Sequence, residues 1–300
     1  MSDAHSMDRG AAAPMSSDPS RLADWLAGFL KLVSNPLRGA SFAIVVLLIV
    51  VAAFAPHIAP YDPLRIDSAK IMHPPSAEHW LGTDDLGRDV LSRIIHGSRI
   101  SLRVGVLSAG ISVVLGVLLG LVSGYVGGWL GFGILRAMDL LLAFPGLLLA
   151  LVVVAILGPG LDNVMVAVGI GGVPMFTRVV HGTVLSTKGN DYVEASRGLG
   201  CGSGRIVFRH ILPNITAPII VLATLQVGTA IFLTSSLSFI GLGAQPPQPE
   251  WGAMVSRGRH ALSHAMWMST FPGIAVAMTV VALNVLGDGL RDLLDPRMRH

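Results

Sequence analysis

Few residues in this 300-residue sequence have types and spacing that could do chemistry. His260 and His264 stand four apart, one helical turn, which is acceptable metal-ligand geometry. No third ligand accompanies them, so they read as part of a surface turn and no metal site is expected. A lone cysteine, Cys201, excludes an intrachain disulfide and reads as a small buried residue. Serines, histidines and aspartates occur without forming a cluster inside the apolar stretches. Isolated hydroxyls there usually bond to their own helix or a neighbour. No G-x-x-x-x-G-K-[ST] phosphate loop is present. The chain is therefore expected to have no catalytic residues, to hold no cofactor and to bind no nucleic acid.

One polar island stands out. Residues 190–214 lie between two long apolar stretches and combine helix formers with breakers. Asp191 to Leu199 contains Glu194, Ala195, Arg197 and Leu199, which favour helix. Gly198, Gly200, Gly202 and Gly204 then interrupt it, and glycine's tolerance of positive φ permits a sharp turn at Gly200. Arg205 to Leu212 rebuilds a helical stretch, and Pro213 suits the first turn of the next helix, where a missing N–H costs nothing. The product is helix, turn, helix: a lever able to pass force between a soluble partner and membrane helices.

The elements that must carry this lever are transmembrane. Hydrophobic residues make up 52% of the chain and charged residues only 13%, about half the share in soluble domains. Continuous apolar runs predict six spans near 40–58, 101–125, 134–157, 162–185, 212–240 and 266–287. The runs do not alternate as barrel strands would. The fold class expected is an all-α membrane protein with six transmembrane helices. Ala53-Phe54-Ala55 resembles a signal-peptidase site, but Pro56 would follow the scissile bond and block cleavage.

If residues 190–210 are cytoplasmic, both termini are too. Thirteen Lys and Arg then lie inside, Arg136 and Arg178 among them, and eight outside, the sign that the positive-inside rule requires. The organisation expected is a cytoplasmic tail over 1–38, a first span over 39–58 and an extracytoplasmic segment over 59–100. A five-helix core over 101–290 contains the loop 188–212, and a cytoplasmic tail over 291–300 follows. Leu22, Trp25, Leu26, Phe29, Leu30 and Val33 recur at helical spacing and suit a short helix lying on membrane lipid. In 57–100 the prolines predict an extended first half, after which Thr83-Asp84 would cap a helix beginning near Asp85. Gly116, Gly120 and Gly124 predict close helix packing, with a partner helix bundle as one candidate surface. Along span five, Gln226, Thr229, Thr234, Ser235 and Ser238 are candidate pathway residues, or else glue between helices. Arg136 and Asp139 at span three, and Asp288, Arg291 and Asp292 at span six, read as helix anchors.

The island resembles the coupling loop of bacterial ABC importer permeases, whose pattern is Glu-Ala-Ala, three residues, Gly, nine residues, then Ile-x-Leu-Pro. Glu194, Ala195, Gly200, Leu212 and Pro213 match in register, while Ser196 and His210 depart from the pattern. Three further stretches, 79–102, 238–252 and 284–297, together with Met138-Asp139 and Phe144-Pro145-Gly146, are similar to the C-type permease subunit of the dipeptide, oligopeptide and nickel branch. The resemblance implies a type I ABC importer permease in the bacterial inner membrane. It also implies a second permease of similar fold, one or two P-loop ATPases that bind ATP and Mg, and an extracytoplasmic solute-binding protein. On this resemblance Asp191, Tyr192, Glu194, Ala195, Ser196, Arg197, Gly200, Arg205, Leu212 and Pro213 couple the ATPase to transport. The cargo expected is a di- or oligopeptide. A nickel or other small-solute importer, and a membrane scaffold without transport, are the alternatives.

Overall fold

A computed structural model describes residues 34–294, which are almost wholly helical. The residues expected to form the interfacial helix, Leu22 to Val33, fall outside the described residues, and so does most of the 291–300 tail. Asn35 caps the first helix, α1 (Pro36–Ile58), by accepting from the N–H groups of Leu37 and Arg38, with Pro36 in the first turn.

Residues 59–89 are irregular, as their prolines dictate, with one short 3₁₀ turn at Ser68–Lys70. The helix expected from about Asp85 begins later. The Asp84 carboxylate accepts from the N–H groups of Leu86 and Arg88 at 2.9 and 3.0 Å, which folds 84–88 into a turn instead. At its centre Gly87 has φ 72°, and a Cβ there would lie 1.9 Å from the Asp67 carbonyl oxygen. Asp89 is the true cap, accepting from Ser92 N–H at 2.7 Å. From it α2 (Val90–Tyr125) runs for 36 residues without a break. The expected outer helix and second span are thus one rod about 54 Å long.

The third apolar stretch also differs. It forms two helices, α3 (Gly128–Leu142) and α4 (Gly146–Leu157), bent by 96° at Phe144-Pro145. Proline cannot continue the ladder and pushes the preceding residue out of helical conformation, so the chain turns there. Then come α5 (Leu161–Lys188), α6 (Asp191–Gly198), α7 (Leu212–Phe239), α8 (Trp251–Gly258) and α9 (Trp267–Leu294). Five helices are long and apolar enough to cross a membrane, and the bent pair supplies a sixth if it counts as one span.

The α2–α5 pair is the axis of the molecule. Gly116, Gly120 and Gly124 lie against Phe176, Val180 and Val184, so added Cβ atoms would sit 2.4, 2.6 and 2.8 Å from those side chains. The glycine repeat therefore packs inside this chain and not against a second bundle. Ser108 and Ser112 donate across the same seam to the carbonyls of Met165 and Gly169 at 3.0 and 2.7 Å. In a medium without water such bonds satisfy the hydroxyls and fix the register.

Candidate functional site

The polar island is built as the sequence suggests, with one surprise. Helix α6 closes with the hydrogen bonds of a Schellman motif: Gly200 N–H donates to Arg197 C=O at 2.9 Å and Cys201 N–H to Ser196 C=O at 3.1 Å. Gly200 has φ 80°, which only glycine adopts cheaply. A single turn, Ser203–Ile206, follows. Residues Val207–Ile211 then wind as a π-helix, in which Leu212 N–H reaches Val207 C=O, five residues back. Pro213, at the start of α7, has no N–H to offer, and the wider π turn hands the chain into α7 without a break. Asn214 bridges the two halves, donating to His210 C=O at 2.6 Å and to Tyr192 Oη at 3.1 Å.

Anchoring and exposure divide cleanly in this loop. Val193, Ile206, Ile211 and Ile215 are buried together with Leu121 of α2 and Val180 and Val184 of α5. Asp191, Tyr192, Glu194, Ala195, Arg197, Gly200 and Arg205 are exposed, while Ser196 is half-buried and donates to Tyr192 C=O. Leu199 and Phe208, at 85% and 71% exposure, add an apolar rim that sequence reasoning did not single out. Leu212 is half-buried and Pro213 exposed. A polar face with an apolar rim is thus packed through four buried aliphatic residues onto two spans. Lys188 also ties the loop end of α5 to α2, donating to Tyr125 C=O at 2.8 Å.

The span-five candidates are placed differently. Gln226, Thr234, Ser235 and Ser238 are buried within the chain; Thr229 is exposed and donates to Leu225 C=O of its own helix at 3.2 Å. Ser235 donates to Glu250 Oε1 at 3.2 Å, and the Ser238 hydroxyl accepts from Ala244 N–H, also at 3.2 Å. Ser235 thus joins α7 to α8 through Glu250, Ser238 closes the turn after its own helix and Thr229 bonds within it, while the buried Thr234 hydroxyl has no partner.

Glu250, missed as a candidate, is the keystone on the far side of the molecule. Its carboxylate is 1% exposed and caps α8, accepting from Gly252 and Ala253 N–H at 3.0 and 2.9 Å. Burial pushes its pKa above the usual carboxylate range, against the pull of these hydrogen bonds. The neighbouring Trp251 indole donates to Ile94 C=O of α2 at 3.0 Å, and Gly252 sits directly against the Ser235 backbone. Beside it, Asp84 holds Arg88 at 2.7 Å and Arg93 at 3.4 Å, and Asp85 reaches Arg257 of α8 at 3.7 Å. A glutamate directly before a tryptophan and a helical run was the signal available. On the loop side Arg38 pairs with Asp292, so that anchor links α9 to α1. Metal chemistry was not expected from His260 and His264, whose nearest polar partners are Arg259 and Ser263.

This architecture defines a class: an integral-membrane transport permease whose spans carry a protruding lever. The chain belongs to the family of binding-protein-dependent transport system inner membrane components, whose model matches residues 116–300. Residues 25–75 match the N-terminal transmembrane domain of oligopeptide transport permease C. The chain is 42% identical over 286 residues to a dipeptide transport system permease of Alkalihalophilus pseudofirmus, covering 95% of this chain and 94% of the relative. It is 45% identical to a di/tripeptide transport system permease of Pseudomonas aeruginosa, covering 88% and 89%. A glutathione transport system permease of Shigella flexneri is 50% identical, covering 85% and 84%. Among solved structures, the MetNI methionine ABC transporter in an inward-facing conformation matches with TM-score 0.53 and 17% identity, over 67% of this chain and 96% of that one. That likeness shows the type I ABC importer permease fold. The chain is a multi-span inner-membrane permease subunit, a part of a transporter and not an enzyme by itself.

Proposed function

We propose that this permease carries di- or oligopeptides, delivered by an extracytoplasmic binding protein and driven by ATP hydrolysis on partner subunits. The observation that carries the reading is the anchored loop 188–212: its exposed face is free to seat in a partner, while Val193, Ile206 and Ile211 transmit motion to α2 and α5. The relatives, dipeptide, di/tripeptide and glutathione permeases, support a peptide cargo over nickel. ATP and Mg are then ligands of P-loop ATPases, and a second permease completes the path.

In this reading Asp191, Tyr192, Glu194, Ala195, Ser196, Arg197, Gly200 and Arg205 form or shape the ATPase contact, and Leu212 and Pro213 pass its motion into α7. Loop 188–212 and both termini are cytoplasmic, and residues 59–89 and α8 face outward. Closure of the ATPases pulls the lever, and the two permeases rock to open the path to alternate sides.

The test is a reconstituted complex in proteoliposomes with its binding protein. Gly200→Leu forces a side chain into the left-handed region, at a cost of about 1–2 kcal/mol, and removes the turn. Glu194→Lys reverses an exposed charge. Both are expected to lose ATP-driven peptide uptake with assembly intact. Wild-type uptake by both variants would sink the coupling assignment.

A further inference from the structure

Helix α5 is the most enclosed span, yet one stripe of its second half stays open: Met175, Arg178, Gly182 and Leu185. Arg178 lies ten residues from Lys188 and seventeen from Leu161. At 1.5 Å per residue that is about 15 Å from one end and about 25 Å from the other. Helix α5 is about 42 Å long against about 30 Å of hydrocarbon, so with the overhang shared equally between its ends Arg178 lies about 9 Å inside the inner boundary. It pairs with Asp139 of α3 at 2.5 Å, and Arg136 approaches the second oxygen of the same carboxylate at 3.9 Å. The side chains are 53%, 40% and 63% exposed for Arg178, Asp139 and Arg136.

Half-open charges at this depth cannot face lipid cheaply, since even a paired ion loses its hydration there. Arginine can snorkel along its stem, but aspartate has one methylene and cannot. Two arginines against one carboxylate also leave a surplus positive charge. We infer that Arg178, with Asp139 and Arg136, is a water-exposed station on the translocation pathway that receives a carboxylate of the passing cargo. The planar guanidinium fork matches a carboxylate with two parallel hydrogen bonds, and Asp139 orients it while leaving part of the fork free. For a peptide the group received is its C-terminal carboxylate. This inference rests on the reading of the chain as a peptide permease.

Two measurements on the whole reconstituted transporter decide it. In a Cys201→Ser background, Gly182→Cys places a thiol one turn from Arg178, where an added Cβ meets nothing within 4 Å. A charged, membrane-impermeant thiol reagent is expected to label it at least about tenfold faster than Val114→Cys on the exposed apolar face of α2, because only a hydrated thiol ionises and reacts. Equally slow labelling would mean that lipid or the second permease covers the stripe, and would overturn the station. The second measurement is ATP-driven uptake of alanyl-alanine and of its C-terminal amide, each at saturating binding protein. Arg178→Gln is expected to slow the acid by about tenfold or more while sparing the amide, the size of one lost charge-assisted bond. Arg178→Lys should restore most of the acid rate. A purely structural ion pair would change both probes alike, and that result, or no change in either, overturns the role. The same acid and amide pair is run with tri- and pentaalanine; if the wild type transports none of these peptides the peptide reading fails on its own, and the labelling still decides whether the station is aqueous.

Discussion

At the scale of single residues, the chain places charge where apolar sequence hides it. Glu250 is buried between α7, through Ser235, and the first turn of α8; its local sequence announces a helix cap but not that burial. Arg178 sits inside a stretch that reads as a span, yet in sequence it counts as one more basic residue on the inner side. Gly200, by contrast, is legible directly, because a glycine after a short polar helix needs no distant partner to explain it. The raised pKa of Glu250 has a checkable consequence. The folded protein holds this proton more tightly than the unfolded chain does, so the stabilisation from protonation is complete below the unfolded value near 4.5. It is lost as pH rises through the higher folded value. Glu250→Gln stays neutral at every pH. Thermal melting of the purified complex should therefore show the wild type losing stability relative to E250Q as pH rises across that window. A difference that does not vary with pH would refute a buried, proton-retaining Glu250.

At the scale of elements, the length of apolar runs was legible and their interruptions less so. Asp89 captures Ser92 N–H while Asp84 folds back on Leu86 and Arg88, so the start of α2 depends on which of two nearby acids wins the cap. The break at Phe144-Pro145 follows from proline chemistry, but the 96° angle comes from how α4 then packs on α5. The G-x-x-x-G pattern announced close approach without naming the partner, and α5 is the partner. Gly120→Leu should wreck that seam, since even its Cβ would lie 2.6 Å from the Val180 Cβ. Overpacking costs typically about 1–3 kcal/mol, and here rigid helix backbones leave no room to relax. Detergent extraction followed by size-exclusion chromatography should recover little monodisperse complex for Gly120→Leu and an intermediate yield for Gly120→Ala. Wild-type recovery of Gly120→Leu would show that the seam tolerates separation.

At the scale of the whole molecule, the two sides are built for different work. The loop side presents α6 with its exposed face and apolar rim, and the opposite side is locked by Glu250, the Asp84–Arg88–Arg93 cluster and two indoles, Trp251 and Trp267. Trp267 Nε1 donates to Thr83 C=O at 3.0 Å, joining α9 to the 59–89 segment. The proposed orientation can be read with thiols in a Cys201→Ser background. Leu199→Cys should react with an impermeant reagent only from the cytoplasmic face, and Trp80→Cys, at a site 69% exposed, only from the outer face. The reverse pattern would invert the orientation and with it the ATPase contact. Membrane insertion, the number of apolar stretches and the lever were decided by the sequence itself, because transfer into lipid depends on local composition and the lever's turn on local backbone chemistry. Which glycines meet which valines, which hydroxyls are consumed in joining helices, and which charges stay open at membrane depth were decided only by tertiary structure. The contacts across α2 and α5 join residues 57 to 60 positions apart and Arg178 is 39 from Asp139, so their energies exist only once the helices have packed.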